Sequence, residues 1–395
     1  MRESWGMRSY LDHAATTPLR PAARAAWLEA SEIVGNAAST HGAGQDARRL
    51  LEDSRERIAA VLGCDPIEVV LTSGGTESIN TALRGLWASR SKDADAVVLP
   101  DGEHHATMDT VAALAAAGAA VRAVPLSAIA RIEPDAFAAA LPGAALATGL
   151  VANNEVGTIN DAAALSSAAA VANVPLHLDA VAALGHVPLS FRALRGDAAS
   201  GAGLVAMSLA GHKIGAPVGV GALVVARTAK MSPLLHGGAQ QRGLRAGTQD
   251  VAGAAALAAA LVEAEAERES ETVRLGALRD RLIGGIRSAV PSARLLGDPV
   301  DRLPNNAHFL FPGAVGESLL FLLDVAGVAA STGSACQAGV AEPSHVVMAS
   351  GGSEQDARSV LRFTLGRTSA EPDVDAVLAA IADAYARASG QLNAR

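Results

Sequence analysis

The sequence predicts an α/β protein: a large domain on a mostly parallel, seven-stranded sheet, with a smaller α+β domain after it. Three observations carry this. Apolar runs of strand length recur at 68–72, 96–100, 120–126, 146–152, 175–180, 204–209 and 220–226. Helical segments such as 76–89, 107–117 and 161–173 lie between several of them, and strands alternating with helices build parallel sheets covered by those helices. The pattern then changes near residue 250. There, 251–289 reads as one or two long helices rich in Ala, Glu and Arg, followed by short strands (306–311, 361–365) and helices (316–326, 372–388). The expected division is 16–259 for the large domain and 260–395 for the small one, with residues 1–15 packed on the latter.

Taken in order, LDHAATTP at 11–18 marks a loop, and 21–33 reads as the helix after it. GNAASTHG at 35–42 is a small polar loop, and 47–62 is a helix of Arg/Glu pairs with an apolar stripe. The first strand runs into TSGGTE (72–77). Its glycines allow a tight turn, and the following helix start offers free N–H groups and a positive dipole end to a phosphate, with Gly75 and the Thr76 hydroxyl at hand. It is neither GxxxxGK[ST] nor GxGxxG, and by itself it reads first as a plain strand–helix turn with a Thr cap. After the second strand comes EHH (103–105). A histidine there can stack on a flat ligand, bind a metal or cap the next helix; with no HExxH and no nearby Cys, metal is not expected.

The fourth strand ends in NNEVG (153–157), which sets side-chain amides at a strand end, and the fifth ends in HLD (177–179). Period 2 places His177 and Asp179 on one face. A carboxylate in such a place needs a cationic or N–H partner, because burying it alone is costly. The alternatives are a helix cap or a structural ion pair. The sixth strand stops at Ala210-Gly211, and His212 and Lys213 follow before a glycine-rich exit into VGVGALVVA. A lysine at the end of a buried strand either snorkels to water or serves as a nucleophile toward a carbonyl.

Composition removes other classes. The formal charge is −8, with no basic cluster interleaved with aromatics, so neither nucleic acid nor an anionic membrane is an expected partner. No run approaches the ~18 apolar residues of a membrane span, and the first residues lack the apolar core of a signal peptide, so a cytoplasmic protein is expected. The two cysteines, Cys64 and Cys336, cannot make a disulfide scaffold or a cysteine zinc site.

Jointly, these strand-end residues form a more specific set. A phosphate cradle, a stacking His, an amide, an Asp and a nucleophilic Lys are what pyridoxal 5′-phosphate (PLP) demands of a protein. The segments YLDHAATTP, GNAASTHG, SGGTESIN, EHHATM, ANNEVGTIN, HLDA, GHKIGAPVGVGAL, RGLRAGTQ, STGSACQAG and LRFTLGR run in order from residue 10 to 367. In them the chain resembles the class V aminotransferase family of fold type I PLP enzymes, and within it the NifS/IscS-type cysteine desulfurases.

The resemblance implies that Lys213 carries the cofactor covalently and shuttles the substrate's α-proton. Asp179 would pair with the ring nitrogen, His104 would stack on the ring, and Thr76 and His212 would hold the phosphate. Thr248 would reach the phosphate of the partner subunit in a homodimer. Asn154 would sit near the ring hydroxyl and the substrate carboxylate, Arg362 would bind that carboxylate, and Asn36 would line the substrate side. Cys336, in the small, polar, Gly-bearing stretch 331–339, would be the nucleophile that takes sulfur from L-cysteine, leaving L-alanine, and passes it to an acceptor protein such as an iron–sulfur scaffold or a tRNA-thiolation relay. Cys64, in VLGCDP, reads as a packing residue. Two positions depart from the family: Ala182 stands where Gln is usual near the ring oxygen, and Ala210 where Ser adds a phosphate contact. Each loses a hydrogen bond worth about 1–3 kcal/mol where charged groups are involved. A selenocysteine lyase, a small-amino-acid aminotransferase and a non-catalytic sulfur-transfer adapter are the competing readings, and the GSAC stretch speaks against the aminotransferase.

Overall fold

A computed structural model of the chain describes residues 9–333 and 342–390. After a short strand β1 (Ser9–Tyr10) come seven strands: β2 (Val69–Thr72), β3 (Ala96–Pro100), β4 (Ala120–Val124), β5 (Leu146–Leu150), β6 (Pro175–Asp179), β7 (Gly203–Ala210) and β8 (Gly221–Val225). They form one sheet in the order β2-β8-β7-β6-β5-β3-β4. The pairs β7–β6, β6–β5, β5–β3 and β3–β4 are parallel, whereas β8 runs antiparallel to both β7 and β2. All eight residues of β7 are buried, as a continuous apolar run demands of a mid-sheet strand. All seven apolar runs are strands of this sheet. The third is shorter at its end than expected, because Leu126 leaves the ladder to bridge Ile132.

The helices that position the site are α1 (Pro21–Ser31), α2 (Gly42–Leu62), α3 (Gly75–Ala88) and α4 (His105–Ala116). α2 starts five residues before the expected 47. The His41 ring accepts the Gly44 N–H (3.3 Å), which caps the helix early. Gly44 is needed there, since a Cβ would stand 2.6 Å from the Ser39 carbonyl oxygen. The stretch 251–289 is one helix of 39 residues.

Beyond it lie β9 (Arg294–Leu295), β10 (Asn306–Leu310), β11 (Val328–Ala329) and β12 (Val360–Thr364). β10 pairs antiparallel with β9 and β12, and β1 pairs parallel with β11. Two large hydrophobic clusters result. One fills the space around the seven-stranded sheet. The other gathers Leu11, Leu275, Leu282, Phe309, Phe363 and Ile381. The 39-residue helix serves both, with Ala254–Ala264 in the first and Leu275–Ile286 in the second. Among the described residues no helix is long and apolar enough to cross a membrane.

Candidate active site

A cavity of about 360 Å³ lies over the carboxyl ends of β5, β6 and β7, where Leu150, Asp179 and Ala210 reach its wall. Parallel strands end together at that edge, so residues that directly follow different strands meet although they are far apart in sequence.

One side of the cavity is an anion seat. Gly74 precedes α3 and no side chain caps the helix, so its first N–H groups remain for a ligand. Gly75 and Thr76 line the cavity. The approach is close: a Cβ on Gly221 would stand 2.6 Å from the Gly74 Cα, and one on Gly75 2.8 Å from the Val181 side chain. His212 lines the same cavity, and its Nδ1 lies 3.3 Å from the Thr16 hydroxyl. Burial, then the Lys213 charge, push the His212 imidazole down to about 4.

The floor carries the carboxylate. Asp179 is 2% exposed, and its Oδ1 accepts the Val181 N–H at 2.9 Å. Burial drives its carboxyl up to about 6, opposed by that N–H and by Lys213. His177, two residues earlier, is fully buried between the Thr148 and Ser208 hydroxyls at 2.9 and 2.8 Å, so it belongs to the sheet interior. Lys213 closes a 3₁₀ turn, Gly211–Lys213, directly after β7. Its Nζ donates to the carbonyls of Ala14 and Ala15, the latter at 2.9 Å.

Of its three possible parts His104 plays the helix cap. Its Nδ1 accepts the Ala106 N–H at 3.0 Å, capping α4, which leaves Nε2 as the protonated nitrogen. The ring lines the cavity, and burial with the nearby Lys213 charge lowers its imidazole to about 4. Opposite stands Arg362 of β12, whose Nη1 donates to the Asn154 carbonyl (2.8 Å) and Nη2 to Asp12 Oδ1 (3.0 Å). Its Nε is buried without a partner, leaving that N–H for an incoming acceptor. Asn154 also reaches the cavity, and Ala182 and Ala210 contribute methyl groups to its wall.

The cavity thus gathers Gly75, Thr76, His104, Asn154, Asp179, His212, Lys213 and Arg362. Thr248 and Asn36 lie outside it. Both are exposed, and Asn36 accepts the Ala38 N–H at 2.9 Å within its own turn. Cys336 lies outside the described residues. Cys64 is buried in the main cluster, and burial pushes its thiol up to about 12. Among the described residues no group of three His, Cys, Asp or Glu side chains could hold a metal ion.

Sequence reasoning missed several wall residues. His13, His186, Asn305, Asn306 and Thr364 line the cavity, and Asp12 orients Arg362 across 350 positions. Tyr10–Pro18 was legible as a motif, but which of its side chains face the site was not. The donor set suits a phosphorylated, aldehyde-bearing pyridine. It offers an uncapped helix start too close-packed for a Cβ, a buried carboxylate and an amine at a strand end.

Residues 9–377 match the profile described as "Aminotransferase class-V". The chain belongs to the class-V aminotransferase family. Among its relatives, an "IscS-like cysteine desulfurase" of Mycobacterium tuberculosis is 46% identical over 389 residues, covering 96% of this chain and 97% of that protein. "Cysteine desulfurase IscS" of Methanosarcina thermophila is 39% identical over 372 residues, covering 93% and 90%. Of solved structures, a "NifS-like protein" superposes with a TM-score of 0.87 at 30% identity, over 95% of this chain and 99% of the other. DndA from Streptomyces lividans does so at 0.75 and 32%, over 90% and 99%. The architecture described above is therefore that of the fold type I enzymes of this family.

Proposed function

We propose that the chain is a PLP-dependent cysteine desulfurase that turns L-cysteine into L-alanine and delivers the sulfur to an acceptor protein. The observation that carries this is the convergence of Lys213, Asp179, His104, the uncapped α3 start and Arg362 on one cavity. Relatives that bear the desulfurase name over nearly their whole length support it.

In this reading Gly75, Thr76 and His212 would hold the phosphate, Asp179 would take the ring nitrogen, His104 would cover the ring face and Lys213 would hold the aldehyde carbon. When bound, the cofactor supplies an electron sink for the substrate's α-carbon. The protein's own residues do the rest. Arg362, steadied by Asp12 and the Asn154 carbonyl, binds the substrate carboxylate through its remaining N–H. Lys213 accepts the α-proton and later returns one to carbon. His104, whose Nδ1 is taken by the Ala106 N–H, has Nε2–H as the proton donor for the substrate's β-carbon once the carbon–sulfur bond has broken. Cys336 thiolate attacks the substrate sulfur, and the carbon–sulfur bond breaks with its electron pair left on the β-carbon, which takes up a proton to become the methyl group of alanine. Sulfur stays on the enzyme as a persulfide for transfer to an iron–sulfur scaffold or a tRNA-thiolation relay.

Asn36 and Thr248, exposed in one protomer, are assigned to the substrate entrance and to the phosphate of the partner subunit in a homodimer. Cytoplasmic residence and the division into residues 16–259 and 260–395 (with 1–15) belong to the same proposal; that boundary falls inside the helix Val251–Ala289.

The test is alanine and persulfide formation from L-cysteine alone, without any keto acid, in the parent, Cys336→Ser and Lys213→Ala. The parent is expected to make both products and each variant neither. Equal alanine from Cys336→Ser would remove the thiol from the mechanism. Alanine from Lys213→Ala at the parent rate would sink the lysine's role.

A further inference from the structure

A second carboxyl group is buried beside Asp179, and the chemistry above leaves it unused. Glu103 is 0% exposed. Its Oε1 accepts the Leu150 N–H at 2.8 Å, while its Oε2 has no hydrogen-bond partner. Burial, the Asp179 charge and the Leu150 N–H are what act on it. Leu150 is the register partner of Asp179 across the β5–β6 ladder, and the next N–H, of Val151, donates to the Asp179 carbonyl at 2.9 Å. Glu103 is thus tied to the strand end that lies against Asp179. One turn into α4, the Thr107 hydroxyl is also fully buried without a partner. On the remaining side the His345 ring meets the Glu103 backbone carbonyl at 2.9 Å, not the carboxyl, and lies tilted against His105 with ring centroids 4.8 Å apart.

Two like charges at neighbouring strand ends, out of water, cannot both persist, and the one lacking a cation gives way. Asp179 has the Val181 N–H and the Lys213 charge on its side, whereas Glu103 has a single N–H and the Asp179 charge against it. Burial first, and Asp179 second, drive the Glu103 carboxyl well above the usual range.

We propose that Glu103 is a positioning residue that works as a neutral carboxylic acid. It anchors the end of β5 beside Asp179 and leaves Asp179 as the one anion that meets the cofactor's ring nitrogen. The role of Asp179 rests on the desulfurase reading; the neutrality of Glu103 does not. The ionised side chain that bears on the pair is Lys213, which acts on Asp179. The imidazoles of His104, His105 and His345 line the approach from α4 and from the helix His345–Ala349.

The experiment uses infrared spectroscopy of the full chain labelled with ¹³C-carboxyl glutamate, first without cofactor. At pH 8 exposed glutamates are ionised, so a protonated-glutamate C=O band that disappears in Glu103→Gln is expected. Asp179→Asn removes the opposing charge, so the band should titrate at lower pH in that variant than in the parent. Glu103→Gln, which keeps a neutral acceptor for Leu150, is expected to retain cofactor within about twofold and the pH midpoint of its absorbance within about 0.3 pH units. Glu103→Ala, which loses the anchor, is expected to release cofactor at least about tenfold faster. Absence of the band in the parent would show an ionised Glu103 and overturn the proposal whatever the variants do. So would a Glu103→Gln protein that folds but shifts the absorbance midpoint by about a unit or more. Because the infrared arm needs neither cofactor nor turnover, a chain lacking desulfurase activity would refute the function without touching this result.

Discussion

Asp179→Asn is the perturbation whose sign the structure sets most sharply. An ordinary aspartate titrates near 3.8, and burial holds this one at about 6 in the cofactor-free fold. The difference corresponds to about 3 kcal/mol. A carboxyl whose folded value is raised costs stability once it is ionised. The cost is absent below the unfolded value near 4, grows as pH rises from 4 to 6, and is complete above that. Asn removes it while its Oδ1 can still accept the Val181 N–H. Cofactor-free Asp179→Asn should therefore be more stable than the parent at pH 8, by up to about 3 kcal/mol, or about 3–4 °C in Tm for a chain of this length. The gap should close as the pH falls toward 4. With cofactor the order should reverse, since the carboxylate is then matched to a ring cation that Asn cannot match. Paired thermal melts of both proteins at pH 8 and pH 5, with and without PLP, decide the matter. A variant less stable than the parent without cofactor at pH 8, or a gap independent of pH, would refute the reasoning.

Three further outcomes follow from the same geometry. An aromatic disulfide reagent at pH 8 should find one fast thiol, lost in Cys336→Ser and unaffected by Cys64→Ala, because the Cys64 thiol is held at about 12. A second fast thiol would contradict the burial of Cys64. Asp12→Ala takes away the carboxylate that steadies Arg362 and should raise KM for L-cysteine about tenfold, with a smaller change in kcat; an unchanged KM would show that Arg362 needs no such support. Gly221→Ala sets a Cβ 2.6 Å from the Gly74 Cα and from the Leu209 carbonyl oxygen, both backbone. It should cost about 1–3 kcal/mol and loosen cofactor binding, as absorbance after dialysis would show; full retention would mean that the α3 start does not form the seat.

Much of the site was legible because each of its residues follows an apolar run. Once the runs at 146–152, 175–180 and 204–209 are read as parallel strands, Asp179 and Lys213 must arrive at one edge whatever the connecting loops do. The nucleophile, Cys336, was legible only through the small polar stretch around it and its resemblance to the family. Helix starts were less legible. The cap on α2 is a histidine, a residue type that carries no strong start signal, so the sequence pattern does not mark its first turn.

By itself, then, the sequence determined the α/β class, the seven strands and the polar residues at their ends, since periodicity and strand-end position are local properties. Tertiary structure alone decided the partners. Asp12 reaches Arg362 because β1 pairs with β11 and the chain then runs beside Thr364. The same packing carries His13 and Lys213's carbonyl partners, Ala14 and Ala15, over the end of the large sheet. It also decided which of two carboxyls would stand in water's absence beside a cation and which would not. Asp179 and Glu103 are alike as residues; their charge states follow from burial and neighbours, which no local pattern encodes.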